Sequence, residues 1–159
     1  MSHVYPKFCK VLLVQARTLP SGGLDQNRAV KMGELLADMA PLVDSPIVVK
    51  SAYDQICLQM ASCLQSGWPD FGPASRLNKD VDWRIWSAEN IQAFYPKVSN
   101  LALILPQESY YKLRRAIEGL KHYEGLKKVS VLETGLISIY EITNGKFKLV
   151  VEDLDLLTV

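Results

Sequence analysis

The side chains best suited to chemistry in this sequence are polar residues that closely follow short apolar segments. They are Gln15, Arg17, Ser51, Gln55 and Gln107. Amide, hydroxyl and guanidinium groups donate hydrogen bonds, and the guanidinium is also charged, so their shared chemistry is the binding of an acceptor or an anion. A serine nucleophile needs a base beside it, and no histidine stands near Ser51 in the sequence. We therefore interpret Ser51 as a turn residue, and Glu108 as the start of a helix rather than a catalytic acid.

Histidine and cysteine offer little further chemistry. The two histidines are His3, near the start of the chain, and His122, beyond a predicted helix, and we interpret His122 as a surface residue. The three cysteines, Cys9, Cys57 and Cys63, include no CxxC pair, which argues against a zinc site or a disulfide framework and is typical of a reducing compartment. We expect the cysteines to act as small buried apolar residues. We predict no metal, no cofactor and a cytoplasmic location.

Length and composition predict one globular domain over residues 1–159, with an N-terminal extension at 1–9 and a long loop at 67–82. Lys and Arg number 18 and Asp and Glu number 17, so the net charge is only +1. Such a chain lacks the basic field of a nucleic-acid-binding protein. The longest apolar runs are far shorter than a membrane span. We expect neither nucleic acid nor a membrane as a partner, and the oligomeric state is left open.

The elements that must position the candidate residues alternate along the chain. Apolar runs predict strands at Val11–Val14, Ile47–Val49, Trp83–Trp86, Leu101–Leu105, Leu136–Ile142 and Lys146–Val151. Helical spacing predicts helices near Asp25–Ala40, Tyr53–Gln65, Ser87–Pro96 and Glu108–Leu120. The last two strands flank Asn144-Gly145, a strong hairpin signal. This order predicts an α/β fold, a three-layer α/β/α sandwich whose mostly parallel sheet ends in an antiparallel C-terminal hairpin. Ligands of such sheets bind at the carboxyl ends of the strands.

Several short motifs occur in this order along the chain, at spacings that resemble those of a known family. The first strand runs into Gln15-Ala16-Arg17, and the next helix begins with Asp25, Arg28 and Gly33. The second strand ends at Ser51-Ala52 before Gln55, a later strand ends at Leu105-Pro106, and Leu132, Thr134 and Gly135 precede the hairpin. Over roughly Val11 to Val151 the chain resembles the histidine phosphatase superfamily, also called phosphoglycerate-mutase-like. Within it, the chain is most similar to the small phosphohistidine phosphatases of the SixA type.

The resemblance implies roles that these residue types cannot fill. The family's nucleophilic histidine falls on Ala16 and the arginine before it on Gln15, while its second arginine falls on Gln55 and its second histidine on Pro106. Alanine has no nucleophile, proline has no donor, and glutamine lacks the charge and fork of arginine. We expect a pseudophosphatase with no catalytic residue, which binds an anionic small molecule or a protein partner through Gln15, Arg17, Ser51, Gln55 and Gln107. Two alternatives stay open: a residual or altered phosphatase for phosphohistidine or a small phosphoester, and a scaffold or assembly protein.

The sequence also contains an aromatic segment and a charged segment that could contact a ligand or a partner. Trp68, Phe71, Trp83 and Trp86 favour either a small core beneath the long loop or a lid or partner patch over the binding site. A basic segment is followed by an acidic tail with Glu152, Asp153 and Asp155. The basic residues of the segment before the tail are Lys112, Arg114, Arg115, Lys121, Lys127 and Lys128. The ordinary interpretation of the basic segment is a helix face exposed to solvent. The functional interpretation is that this face binds an acidic partner, or that the protein self-associates head to tail through its basic helix and acidic tail.

Overall fold

A computed structural model describes residues 8–16, 23–39, 47–76, 100–118, 136–143 and 146–154 of the 159. These residues form six strands and three helices. The strands are β1 (Phe8–Ala16), β2 (Val48–Ser51), β3 (Ala74–Arg76), β4 (Asn100–Pro106), β5 (Ile137–Thr143) and β6 (Lys146–Leu154). The helices are α1 (Gln26–Asp38), α2 (Gln55–Gly67) and α3 (Gln107–Glu118). None of these helices is both long enough and apolar enough to span a membrane.

The strands form one mixed sheet in the order β3-β2-β4-β1-β5-β6. The first four in this order are parallel to one another, whereas β5 runs antiparallel to β1 and β6 antiparallel to β5. The predicted mostly parallel sheet with an antiparallel C-terminal strand pair is therefore confirmed. The parallel strands leave their carboxyl ends along one edge of the sheet, which we call the carboxyl edge.

The core lies around the two central strands. Every residue from Val11 to Ala16 in β1 and from Asn100 to Leu105 in β4 is buried. Successive residues of a strand point to opposite faces, so an uninterrupted buried run requires cover on both sides of the sheet. The predicted three-layer α/β/α sandwich is thus confirmed, and its central strands are hidden on both faces.

Helices α1 and α2 pack with their backbones in close contact. A Cβ atom added at Gly33 would lie 2.3 Å from the carbonyl oxygen of Leu64, and one added at Gly67 would lie 2.1 Å from that of Val30. Only glycine permits this approach. At the start of α1, Asp25 Oδ1 accepts a hydrogen bond of 3.2 Å from the backbone N–H of Arg28, as expected of an N-cap.

The segment predicted as a loop at 67–82 contains regular structure. A 3-10 turn spans Pro69–Phe71, and Ala74–Arg76 forms β3 on the outer edge of the sheet. The strand was missed because its three residues carry no apolar alternation. At the other end, β1 begins at Phe8, so the predicted extension 1–9 overlaps the first two residues of this strand.

The aromatic segment is partly described. Trp68 and Phe71 are both buried in the main core, with their ring centroids 5.7 Å apart. These two residues therefore belong to the main core rather than to a separate small core beneath the loop, and neither forms an exposed patch. Trp83 and Trp86, the predicted helix from Ser87 to Pro96, and residues 121–135 lie outside the described residues.

The expectation that Arg114 lies on a charged outer face is wrong. Arg114 is fully buried between α3 and the C-terminal strands, where its Nε donates a hydrogen bond of 2.7 Å to the hydroxyl of Tyr140. Its Nη2 lies 3.5 Å from Glu152 Oε1, and nearby the hydroxyls of Tyr110 and Ser138 are 2.6 Å apart. A basic residue of the helix and an acidic residue of the tail therefore meet within one chain, and side-chain contacts join α3 to β5 and β6.

Candidate functional site

The structure brings most of the candidate residues to the carboxyl edge. In the parallel register of β1 and β4, Gln15 is paired with Leu105 and Ala16 with Pro106. Ser51 ends β2 next to Ile104 of β4. Gln55 and Gln107 are the first residues of α2 and α3. Arg17 lies outside the described residues.

The side chain of Gln15 forms a hydrogen bond with the backbone, and it also has an amide N–H group without a partner among the described residues. Its backbone N–H donates to the carbonyl of Leu136 over 2.9 Å, and its side-chain Oε1 accepts from the N–H of Leu136 over 3.2 Å. The side chain thereby extends the pairing of β1 with the chain entering β5. The amide nitrogen Nε2 is buried and has no hydrogen-bond partner among the described residues. Leaving such a donor unpaired costs about 1–3 kcal/mol.

Ala16 and Pro106 give the centre of the carboxyl edge its chemical character. They are paired residues at the ends of adjacent strands, Ala16 is buried and Pro106 is half-buried. A methyl group and a proline ring can neither accept a phosphoryl group nor exchange a proton, and proline also lacks a backbone N–H. These two side chains therefore supply neither a nucleophile nor a hydrogen-bonding group to this part of the carboxyl edge.

The hydroxyl of Ser51 is directed at the backbone. Ser51 is buried, and its Oγ donates to the carbonyl oxygen of Ala52 over 3.2 Å. The N–H of Ala52 in turn donates to the carbonyl of Ile104 over 2.8 Å, which fixes the end of β2 against β4. These bonds are those of a turn residue rather than of an activated nucleophile.

The helix starts carry exposed polar side chains. Gln55 and Gln107 are exposed, so their amides are available to a ligand at the surface. Glu108 in the first turn of α3 forms an ion pair of 2.9 Å with Lys112, and the hydrogen bond from Lys112 lowers the pKa of Glu108. An ionised carboxylate near the positive end of a helix fits the interpretation of Glu108 as part of the helix start.

The described cysteines are inert thiols. Cys57 and Cys63 are both buried on α2 and unbridged. Burial raises the pKa of both thiols, and for Cys57 a hydrogen bond with Asp54 raises it further. The interpretation of these two as small buried residues is confirmed. No group of three or more potential metal-binding side chains occurs within the described ranges.

Arg76 is the residue at this edge that sequence analysis missed. It is the last residue of β3, in register with Ser51 at the end of β2. Its guanidinium carbon lies 5.2 Å from the centroid of the Tyr53 ring, and Tyr53 is 55% exposed. Because β3 was predicted as loop, nothing in the sequence placed Arg76 beside the site. The local signal in the sequence is the Gly72-Pro73 pair, which separates the 3-10 turn from β3 and in which Gly72 has a φ of +77°.

Comparison with known proteins identifies the architecture. No family profile matches this sequence, and no curated protein does. Solved structures match over nearly the whole chain. Phosphoglycerate mutase from Plasmodium falciparum superposes with a TM-score of 0.59 at 13% identity, covering 94% of this chain and 96% of its own. The fold is phosphoglycerate mutase-like.

Phosphatase structures are among the similar ones. A protein from Agrobacterium tumefaciens assigned as a SixA phosphohistidine phosphatase matches with a TM-score of 0.58 at 16% identity, over 89% of this chain and 93% of that one. YhfR from Bacillus stearothermophilus matches with a TM-score of 0.61 at 11% identity, over 94% and 99%. At these identities the likeness establishes the phosphoglycerate mutase-like fold, as predicted, and residue roles must be argued from position.

Proposed function

We propose that this phosphoglycerate mutase-like chain is a pseudophosphatase, a non-catalytic protein that binds an anionic ligand at the carboxyl edge. The observation that carries the proposal is the pairing of Ala16 with Pro106. The resemblance of the sequence to histidine phosphatases puts the two histidines of that chemistry at these positions. The two positions are neighbours in the sheet register, which supports the proposal that the strand-end layout is kept without the reactive groups.

The residues at these positions strongly reduce the capacity of the site for phosphoryl transfer through histidine. Phosphoryl transfer through histidine needs an imidazole as the acceptor and cationic donors on the phosphate oxygens. Loss of one such donor costs about 10²–10³ in rate, and here Gln15 and Gln55 replace both arginines while Ala16 replaces the nucleophile. Substitution of the nucleophile alone removes the covalent route. We infer that the reaction suggested by the fold does not occur here.

Binding is supported by what remains at the carboxyl edge. The buried Nε2 of Gln15 lacks a partner among the described residues, and the amides of Gln55 and Gln107 are exposed. Neutral amides hydrogen-bond phosphate or carboxylate oxygens, although more weakly than arginine does. A reducing, cytoplasmic setting belongs to the same proposal, since the buried thiols of Cys57 and Cys63 are unbridged.

Two measurements test the proposal together. Purified protein at high concentration is assayed for turnover of an aryl phosphate, with and without added divalent metal, and its thermal unfolding is followed with increasing inorganic phosphate. We expect no turnover above the buffer rate. A ligand present at ten times its Kd stabilises the native state by about 1.4 kcal/mol, which raises Tm by about 3–6 °C for a chain of this size.

The alternative is a residual phosphatase, favoured by the assignment of similar structures as phosphatases. It predicts turnover that is lost in Arg17→Ala, because Arg17 is the cation nearest Ala16 in the sequence. Turnover sensitive to this substitution would overturn the pseudophosphatase proposal. A protein that shows neither turnover nor stabilisation by phosphate, and instead forms a stable oligomer, would be a scaffold.

A further inference from the structure

We propose that Arg76, supported by the ring of Tyr53, is the residue that holds the anionic group of the ligand. The assignment rests on the proposed binding function and names the cation that serves it. The ligand group is an oxyanion, a carboxylate or a phosphate, carried by a small molecule. Arg76 occurs in none of the motifs through which the sequence resembles the phosphatases.

The position of Arg76 is the first support. Parallel pairing of β3 with β2 places Arg76 beside Ser51, so its side chain leaves the sheet at the carboxyl edge. Gln55, which occupies the place of a lost arginine, begins α2 four residues after Ser51. Gln55 therefore supplies no positive charge where the resemblance would place an arginine. Arg76 supplies one on β3, the strand next to β2.

The bonding of Arg76 is the second support. Its contact with the Tyr53 ring, at 5.2 Å, orients the guanidinium without using its N–H donors. No carboxylate among the described residues forms an ion pair with Arg76. An oriented guanidinium with open donors is suited to bidentate binding of an oxyanion.

The location also places the bound anion away from Ala16 and Pro106, the positions of the two histidines in the resemblance. Neighbouring strands lie about 4.8 Å apart, so β3 is about 10 Å from β4 and about 14 Å from β1 in the observed strand order. An oxyanion on Arg76 is therefore displaced sideways from the centre formed by Ala16 and Pro106. The remainder of the ligand would extend towards the amide donors, Gln55 first.

The test is a titration of the full chain with two probes, inorganic phosphate and benzoate, at constant ionic strength by isothermal titration calorimetry. The variants are Arg76→Gln, Arg76→Lys and the control Lys148→Gln, which removes one exposed positive charge from β6 at the opposite edge of the sheet. Because Arg76 is exposed, all three variants should retain the wild-type circular dichroism spectrum and Tm.

We expect saturable binding of at least one probe to the wild type. Arg76→Gln should weaken it about tenfold or more and Arg76→Lys by less, while Lys148→Gln should stay within about twofold. Comparison of the two probes shows whether phosphate or carboxylate is preferred. Equal affinity in wild type and Arg76→Gln, equal weakening by Lys148→Gln, or no saturable binding of either probe up to about 50 mM would overturn the assignment.

Failure of this assignment is distinguishable from failure of the proposed function. Probe binding that survives Arg76→Gln, together with absent turnover, removes Arg76 as the anion ligand and leaves the pseudophosphatase proposal intact. Turnover of an aryl phosphate by the wild type removes the pseudophosphatase proposal, whichever residue binds the probe.

Discussion

Substitution of Gly33 by alanine should destabilise the fold by a measurable and explicable amount. The new Cβ would lie 2.3 Å from the carbonyl oxygen of Leu64 and 3.0 Å from its Cα. Both atoms belong to the backbone of α2, which cannot rotate away as a flexible side chain could. The two helices must therefore separate, and the core between them and the sheet must repack.

The expected magnitude follows from two opposing effects. Forcing an extra carbon into a packed interior costs about 1–3 kcal/mol, and a clash with rigid backbone belongs at the upper end of this range. Alanine is intrinsically better than glycine within a helix by about 1 kcal/mol. The net loss is about 2 kcal/mol, equivalent to a fall in Tm of about 4–8 °C.

The assay is equilibrium urea denaturation, with scanning calorimetry as a second measurement. Gly23→Ala is the matched control, because a Cβ at Gly23 would meet no atom within 4 Å. We expect this control to change stability by no more than about 1 kcal/mol, in the stabilising direction. If Gly33→Ala were as stable as the wild type while the control behaved as expected, the close backbone contact between α1 and α2 would be refuted.

Three further substitutions have definite expected outcomes. Gln15→Leu leaves the N–H of Leu136 without its acceptor, which costs about 1–3 kcal/mol, but it also removes the buried, unpaired Nε2, which offsets a similar amount. Urea denaturation should therefore show a net change of no more than about 1 kcal/mol, and exposed Gln55→Leu should stay within about 0.5 kcal/mol; a loss of about 3 kcal/mol in Gln15→Leu would contradict an unpaired Nε2. Tyr140→Phe removes the acceptor of the buried Arg114 and should cost about 1–3 kcal/mol in the same assay; an unchanged midpoint would contradict this bond. Burial raises the pKa of Cys57 above its ordinary 9.0, so unfolding releases a proton from this thiol at higher pH. Stability should therefore fall above pH 9 by up to about 1.4 kcal/mol per pH unit more in the wild type than in Cys57→Ala, as followed by denaturation at several pH values.

The central strands, and the order of the described elements apart from β3, could be predicted because burial on both faces of the sheet leaves uninterrupted apolar runs in the sequence. The apolar runs that become β1 and β4 have no polar alternation, and this pattern is typical of parallel strands between helix layers. The turn residues and the motif spacing then indicated which strand ends would carry the site. Ala16 and Pro106 came together as expected for that reason.

Other features depend on contacts that a linear pattern does not contain. β3 is only three residues long and forms because β2 offers it an edge, so Arg76 went unnoticed. Arg114 looked like a surface charge because its partners, Tyr140 and Glu152, come from the far end of the chain. The second role of Gln15, as an acceptor for a backbone N–H, likewise depends on a residue 121 positions away.

We propose that, among the described residues, the strand ends hold no activated nucleophile that could take up a phosphoryl group. Mass spectrometry of intact protein, quenched during incubation with excess aryl phosphate, tests this claim most directly. The account predicts that the protein keeps its unmodified mass at every time point. A phosphorylated species, mapped by fragmentation to a residue at the carboxyl edge, would contradict it.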